Sequence, residues 1–216
     1  MDFNITTITL IASNILITYK GFKDHAFFER YKFHIGGIQR GEKDRMFTSG
    51  FLHVNEAHLI FNMLTLYFFA SQVISKFGDL KFLLIYIASL ATGSLMALWF
   101  HRNEYSYSAV GASGAVMGIL YASILIEPFQ KIYLMFLPIE GIPGYLFGIF
   151  YMLYTLYGMK VRRDNIGHTA HFGGAIGGYF MTLLFDPTLL QTDLLIRGLI
   201  ALPIVILFVL IKLGKL

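Results

Sequence analysis

Gly111-Ala112-Ser113-Gly114-Ala115-Val116-Met117-Gly118-Ile119-Leu120-Tyr121-Ala122-Ser123-Ile124-Leu125-Ile126 is the stretch whose reading decides the fold. It carries no charge, and small residues punctuate it at the spacing that lets helices pack closely inside a bilayer. As a helix, Ser113 to Ile126 rises about 21 Å, against a hydrocarbon core of roughly 30 Å. The serine is therefore expected below the membrane surface. The polar segment before it, His101-Arg102-Asn103-Glu104-Tyr105-Ser106-Tyr107-Ser108, then has to line a wet depression. Irregular backbone at membrane depth is tolerated only where it is buried in protein or faces water.

The rest of the chain agrees with that environment. Of 216 residues, 56% are hydrophobic and only 14% are charged, and the mean hydropathy is +0.63, too apolar for a soluble domain. The absence of cysteine excludes disulfides, thiol nucleophiles and Cys-based metal sites. A net charge of +4 suits contact with anionic lipid, and the basic residues are too dispersed to bind nucleic acid.

Charged residues divide the chain into seven apolar runs, at Phe3 to Tyr19, Leu52 to Ile74, Leu80 to Phe100, Ser113 to Ile126, Ile142 to Met159, Gly167 to Phe185 and Leu194 to Leu213. The first has no basic n-region and no small-residue cleavage site, and is expected to be retained as a span. The loop between the first two runs mixes aromatics with charges in Phe27-Phe28-Glu29-Arg30-Tyr31-Lys32-Phe33 and is expected to lie in the interface. The connector Lys131 to Pro138 is apolar but too short to span, and is expected to be extended and partly sunk. No repeat or linker divides the chain. The predicted fold class is an all-α membrane protein, a polytopic helical bundle forming one domain over residues 1–216.

Polar residues inside such runs are read first as a functional site. His58 and Asn62 stand near the start of the second run, Ser113 begins the fourth and His171 lies near the start of the sixth. Even-numbered runs all begin on the same side of the membrane, so these residues share one leaflet. His58 and Asn62, four apart, lie on one helical face one turn from each other. A neutral imidazole can activate a serine hydroxyl by accepting its proton, which fits His171 and Ser113. The Ser113 amide, the Asn62 carboxamide and the His58 ring are candidate donors to the oxyanion that follows. No acidic residue in the apolar runs is placed to orient His171, so a Ser-His dyad is expected, with no cofactor and no metal.

These residues carry a family resemblance. Gly111-Ala112-Ser113-Gly114, Ala170-His171 followed by Gly173-Gly174, and Phe51-Leu52-His53-Val54-Asn55-Glu56-Ala57-His58-Leu59-Ile60-Phe61-Asn62-Met63 together resemble the rhomboid family of intramembrane serine proteases. Arg45-Met46-Phe47-Thr48-Ser49 resembles the family's arginine-bearing approach to its second helix. The resemblance implies that Ser113 is the nucleophile, His171 the general base and His58 with Asn62 the oxyanion-stabilising pair. It implies a six-helix rhomboid-like core, to about residue 186, plus one C-terminal transmembrane helix at about 194–214. It also implies single-pass transmembrane protein substrates, admitted sideways between the second and fifth helices, and a mobile cap at Lys160 to Gly167.

The sequence departs from the family pattern in two ways. Met117 stands four residues after the serine, where the family usually has an aromatic ring packed on the histidine. The family's topology would also put all but Lys76, Lys81, Lys131 and Arg197 of the 17 Lys and Arg residues outside, against the positive-inside rule. Aromatic residues Phe147, Phe150, Tyr151, Tyr154 and Tyr157 on the fifth run form either a gate or a lipid-facing stripe. His168 competes with His171 as base, His53 reads as a loop-stabilising or interfacial residue, and Arg45 as a clamp on backbone carbonyls or an anchor to phosphates. Three rivals compete with the protease. A zinc enzyme would use His53 with His58 or His168 with His171, but HExxH is absent. A transporter would be expected to show inverted repeats. A non-proteolytic rhomboid-like binding or escort protein would typically lack the serine or the histidine. A cell membrane is expected, with a bacterial inner membrane favoured, and nothing in the sequence sets the oligomeric state.

Overall fold

The computed structural model describes residues 4–133, 140–161 and 166–216. The first run forms α1 (Ile5–Lys23), opened by the Asn4 side chain, which accepts from the Thr7 N–H at 3.1 Å. The helix runs four residues past the expected Tyr19. Lys20 and Lys23 in its last turn suit the negative end of the helix dipole. Asp24 then both ends α1 and caps α2 (His25–Tyr31) by accepting from the Phe27 N–H.

The long loop is built around a buried cation. After α2 come β1 (Phe33–His34), α3 (Ile35–Gln39) and α4 (Arg45–Thr48). Arg45 is 8% exposed and donates to the carbonyls of Glu29 at 2.8 Å and Lys32 at 3.0 Å and to the Glu42 carboxylate. The carbonyl clamp is the role observed, and it leaves no guanidinium in the open to meet phosphates. The hydrogen bond from Arg45 holds the Glu42 carboxyl below the usual carboxylate range. The folded loop docks on the third connector through antiparallel pairing of β1 with β2 (Ser108–Ala109).

The second and third runs form α5 (Glu56–Phe100), 45 residues in two arms that meet at Gly78. A straight helix of that length would be about 67 Å long, twice the hydrocarbon thickness. It is not straight. Gly78 has φ 78° and ψ 169°, a region that is essentially glycine-only, and the chain turns back on itself there. Both ends of α5 consequently reach the same face. Its start meets Gly111 through His58, and its end meets Thr169, whose hydroxyl lies 3.3 Å from His101 Nε2. On the opposite face, Asn4 donates to Asp79 at 2.8 Å and Lys76 pairs with Asp186 at 2.7 Å. The sequence expectation of two spans holds, with the loop between them reduced to a glycine turn.

The fourth run is α6 (Ser113–Ile126), with the bounds read from sequence, and every residue from Gly114 to Leu125 is buried. It is the central post of the bundle. The last three runs form α7 (Gly144–Val161), α8 (His168–Phe185) and α9 (Leu194–Lys212), each within about two residues of expectation. β3 (Lys131–Ile132) pairs antiparallel with β4 (Ile142–Pro143) before α7, which fits an extended connector; residues 134–138 of that connector lie outside the described residues.

Packing is closest between α6 and α8. A Cβ at Gly174 would overlap the Gly114 carbonyl oxygen, and one at Gly178 would overlap the Gly118 carbonyl oxygen. Lipid offers no hydrophobic gain for helix association, so backbone approach of this kind supplies the van der Waals contact instead. Polar ties hold the periphery. Arg197 of α9, 4% exposed, donates to the Leu125 carbonyl at 3.1 Å and to Thr192, while Tyr179 donates to the Arg197 carbonyl. The whole is an all-α membrane protein.

Gly78→Ala is expected to destabilise by roughly 1–3 kcal/mol, the cost of a strained backbone region. Gly174→Val should cost more, because no side-chain shift relieves an overlap with a carbonyl. Thermal unfolding in detergent measures both; wild-type midpoints for either variant would contradict the geometry described.

Candidate active site

Asn55 starts α5, its side chain accepting from the His58 N–H at 2.8 Å. Glu56, the acidic residue of the first turn, accepts from the Tyr19 hydroxyl at 3.3 Å. The cap fixes the first turn, and His58 then faces Gly111. Gly111 has φ 136°, and a Cβ there would sit 2.8 Å from His58 Cε1, 2.9 Å from His58 Nε2 and 3.5 Å from Ser113 Oγ. One empty point is thus flanked by the imidazole and the hydroxyl, and only glycine leaves it open.

The backbone around that point is held by a relay that no pattern in the sequence announced. Gly111 donates its N–H to the Ser49 carbonyl at 3.0 Å. Ala112 donates its N–H to His53 Nε2 at 3.4 Å, and His53 Nδ1 lies 2.8 Å from Thr18 Oγ1, which donates to the Phe51 carbonyl at 3.0 Å. Only one tautomer satisfies all three contacts, a neutral ring protonated at Nδ1. His53 is fully buried. It stabilises the loop, and with both nitrogens engaged it offers no lone pair to a metal beside His58.

Ser113 is the first residue of α6 and is half-buried. The first intrahelical bond runs from the Val116 N–H to the Ala112 carbonyl. The amides of Ser113 and Gly114 therefore lie in the unsatisfied first turn, at the positive end of the dipole, where an anion is favoured. Asn62 is buried one turn below His58 and donates one Nδ2 hydrogen to the His58 carbonyl at 3.1 Å. Its second Nδ2 hydrogen is available to another acceptor.

His171 lies in the first turn of α8, its N–H bonded to the Gly167 carbonyl. The preceding residue, Ala170, places its carbonyl oxygen 3.3 Å from where a Gly114 Cβ would be. Ser113 and His171 thus each adjoin a residue of one α6–α8 contact. Among the described hydrogen bonds none joins these two side chains. Instead, His171 Nδ1 lies 3.1 Å from the Tyr151 hydroxyl on α7. The His168 ring fills the space that a Cβ at Gly158 would need, with Tyr154 edge-on at 5.4 Å and the His171 ring edge-on at 6.5 Å. The aromatic series of α7 divides accordingly. Phe147 and Tyr151 stack on each other and are half-buried, while Phe150, Tyr154 and Tyr157 are exposed. Of the segment expected to cap the site, residues 162–165 lie outside the described residues.

A profile of the Rhomboid domain matches residues 40–187, more than half of the chain. The chain belongs to the rhomboid family. Among its relatives, RHOMBOID-like protein 12, mitochondrial, from Arabidopsis thaliana is 27% identical over 76% of this chain and 52% of its own length. Rhomboid protease GluP from Bacillus subtilis is 35% identical over 66% of this chain and 26% of its own length. Rhomboid protein 1, mitochondrial, from Saccharomyces cerevisiae is 31% identical over 60% of this chain and 38% of its own length. The chain spans about half, or less, of the length of these relatives. The rhomboid match covers the loop clamp at Arg45, both arms of α5, and α6 to α8, the elements that surround Gly111.

Thr18→Val keeps the side-chain volume and breaks the relay at His53. Leaving the buried Nδ1–H unsatisfied should cost about 1–3 kcal/mol, measurable as a lowered thermal midpoint in detergent. An unchanged midpoint would mean that the relay does not stabilise the loop.

Proposed function

We propose that this rhomboid-family protein is an intramembrane serine endopeptidase that cleaves single-pass transmembrane proteins through a Ser113–His171 dyad. One observation carries most weight: at the α6 N-terminus a serine hydroxyl and the His58 ring flank the same glycine-made gap, and the α8 backbone bearing His171 touches the next residue of α6. The family, which includes relatives named proteases, supports the same reading.

The chemistry proceeds in two halves. Ser113 Oγ attacks the scissile carbonyl carbon as its proton passes to His171 Nε2. The carbonyl oxygen becomes an oxyanion, received by the Ser113 amide, the remaining Nδ2 hydrogen of Asn62 and a His58 ring N–H. Collapse of the tetrahedral intermediate breaks the C–N bond, and His171 returns the proton to the leaving amine. Water then attacks the Ser113 ester as His171 takes its proton; the bond to Ser113 Oγ breaks, His171 returns the proton to that oxygen, and the second fragment leaves as an acid that ionises to the carboxylate. In an intact transmembrane helix each interior carbonyl is hydrogen-bonded and shielded, so the substrate has to unwind first. Sites with Gly, Pro or other weak helix formers should be cut best.

Residues 1–216 are read as one rhomboid-like domain, a core to about residue 186 with α9 added; the Arg197 ties to α6 and to the turn before α9 support that reading. Residence in a membrane follows from the family and its apolar helices. A bacterial inner membrane is our assignment, with an organelle membrane as the competitor raised by the mitochondrial relatives.

Purified protein in liposomes should cleave a single-pass reporter without added metal, survive chelator and be labelled by a fluorophosphonate. Ser113→Ala and His171→Ala should abolish cleavage, and cleavage retained by Ser113→Ala ends the proposal. Asn62→Ala should lower turnover by roughly 10- to 1000-fold, if it donates to the oxyanion, with the thermal midpoint held near wild type.

A further inference from the structure

A dyad leaves one question of proton chemistry open, and α7 answers it. A neutral imidazole carries one proton on one of its two nitrogens. To take the Ser113 proton at Nε2, His171 has to hold its own at Nδ1. In hydrolases with a triad an acid fixes that choice, but no acidic side chain stands in the described spans beside His171. Among the described residues, a group placed to do so is the Tyr151 hydroxyl, 3.1 Å from Nδ1, with its ring tilted only 23° from the imidazole. Tyr151 is itself steadied by Phe147 one turn earlier, the two rings stacked at 5.8 Å and 15°. Met117, at the position where an aromatic ring was expected, is a buried thioether within α6 and brings no hydroxyl to the histidine.

We infer that Tyr151 is a positioning residue that accepts a hydrogen bond from His171 Nδ1–H and so sets the base in its working tautomer. The opposite direction, with the tyrosine donating to Nδ1, would leave the ring proton on Nε2 and block general-base catalysis. A hydrogen bond to a ring that becomes charged is also among the stronger kinds, so the contact strengthens as Ser113 gives up its proton. The location of Tyr151 adds a consequence. It rides on α7, which packs on α9 and α8 and meets α6 through the Tyr121 hydroxyl on the Gly148 carbonyl. The base is therefore set by the seating of α7 against α8, and any change that displaced α7 would withdraw the acceptor. The inference rests on the proposed protease reading, and it names a residue that reading does not need.

Tyr151→Phe keeps the ring and removes only the hydroxyl. In the full-length chain in detergent, kcat should fall about 10-fold with KM unchanged. The rate at which a fluorophosphonate labels Ser113 should fall by a similar factor, since that small reagent does not depend on admitting a helix. Nitrogen-15 spectra of labelled histidine should place the His171 proton on Nδ1 in the wild type and show a tautomer mixture in the variant. Wild-type labelling by Tyr151→Phe, a change confined to KM, or a wild-type proton on Nε2 would each overturn the assignment. If the wild type itself is not labelled at Ser113, the protease reading fails instead.

Discussion

The contact of α6 with α8 is the constraint on which the rest of the structure depends. Gly114 faces Gly174 and Gly118 faces Gly178, so two backbones meet with no side chain between them. Contact at that range replaces the hydrophobic drive that lipid withholds, and it is rigid because peptide groups have no rotamers to exchange. Ser113 and His171 stand at the same end of the two helices, beside this seam. Their separation is set by the backbone packing below them, a firmer support than a loop would give.

Around the seam the protein spends its polar groups on loops and helix ends. Arg45 holds the folded loop from inside, His53 and Thr18 hold the chain that enters α6, and Arg197 closes the far end of α6 by binding the Leu125 carbonyl. Each satisfies carbonyls or amides that would otherwise be buried without a partner, which is costly. The His58 pocket survives in their midst because Gly111 offers no side chain to fill it. α6, buried along its length and braced at both ends, is the fixed element on which Ser113 stands.

Much of this was legible beforehand. The span of α6 was read to the residue, since a charge-free run bounded by Ser113 and Glu127 leaves little choice. The shared end of His58, Ser113 and His171 followed from counting crossings, whereas Arg45 stood open between a carbonyl clamp and a phosphate anchor until its partners were seen. The boundary errors have local causes. α1 overran Tyr19 because lysines near a helix C-terminus are favoured by the dipole, and α5 began at Glu56 because Asn55, not an apolar residue, caps it. The aromatic stripe of α7 was ambiguous because a gate and a lipid-facing surface share one composition; only packing separates Phe147 and Tyr151 from Phe150, Tyr154 and Tyr157.

The amino-acid sequence by itself determined the membrane setting, the number and order of spans, the family and the candidate residues, because hydropathy, charge boundaries and short motifs are local properties. Only the tertiary structure decided which groups touch: His53 with Ala112, His58 beside Gly111, and Tyr151 with His171. Those pairs lie far apart in the chain or on different helices, and their meeting depends on helix rotation and close approach, which no one-dimensional pattern encodes.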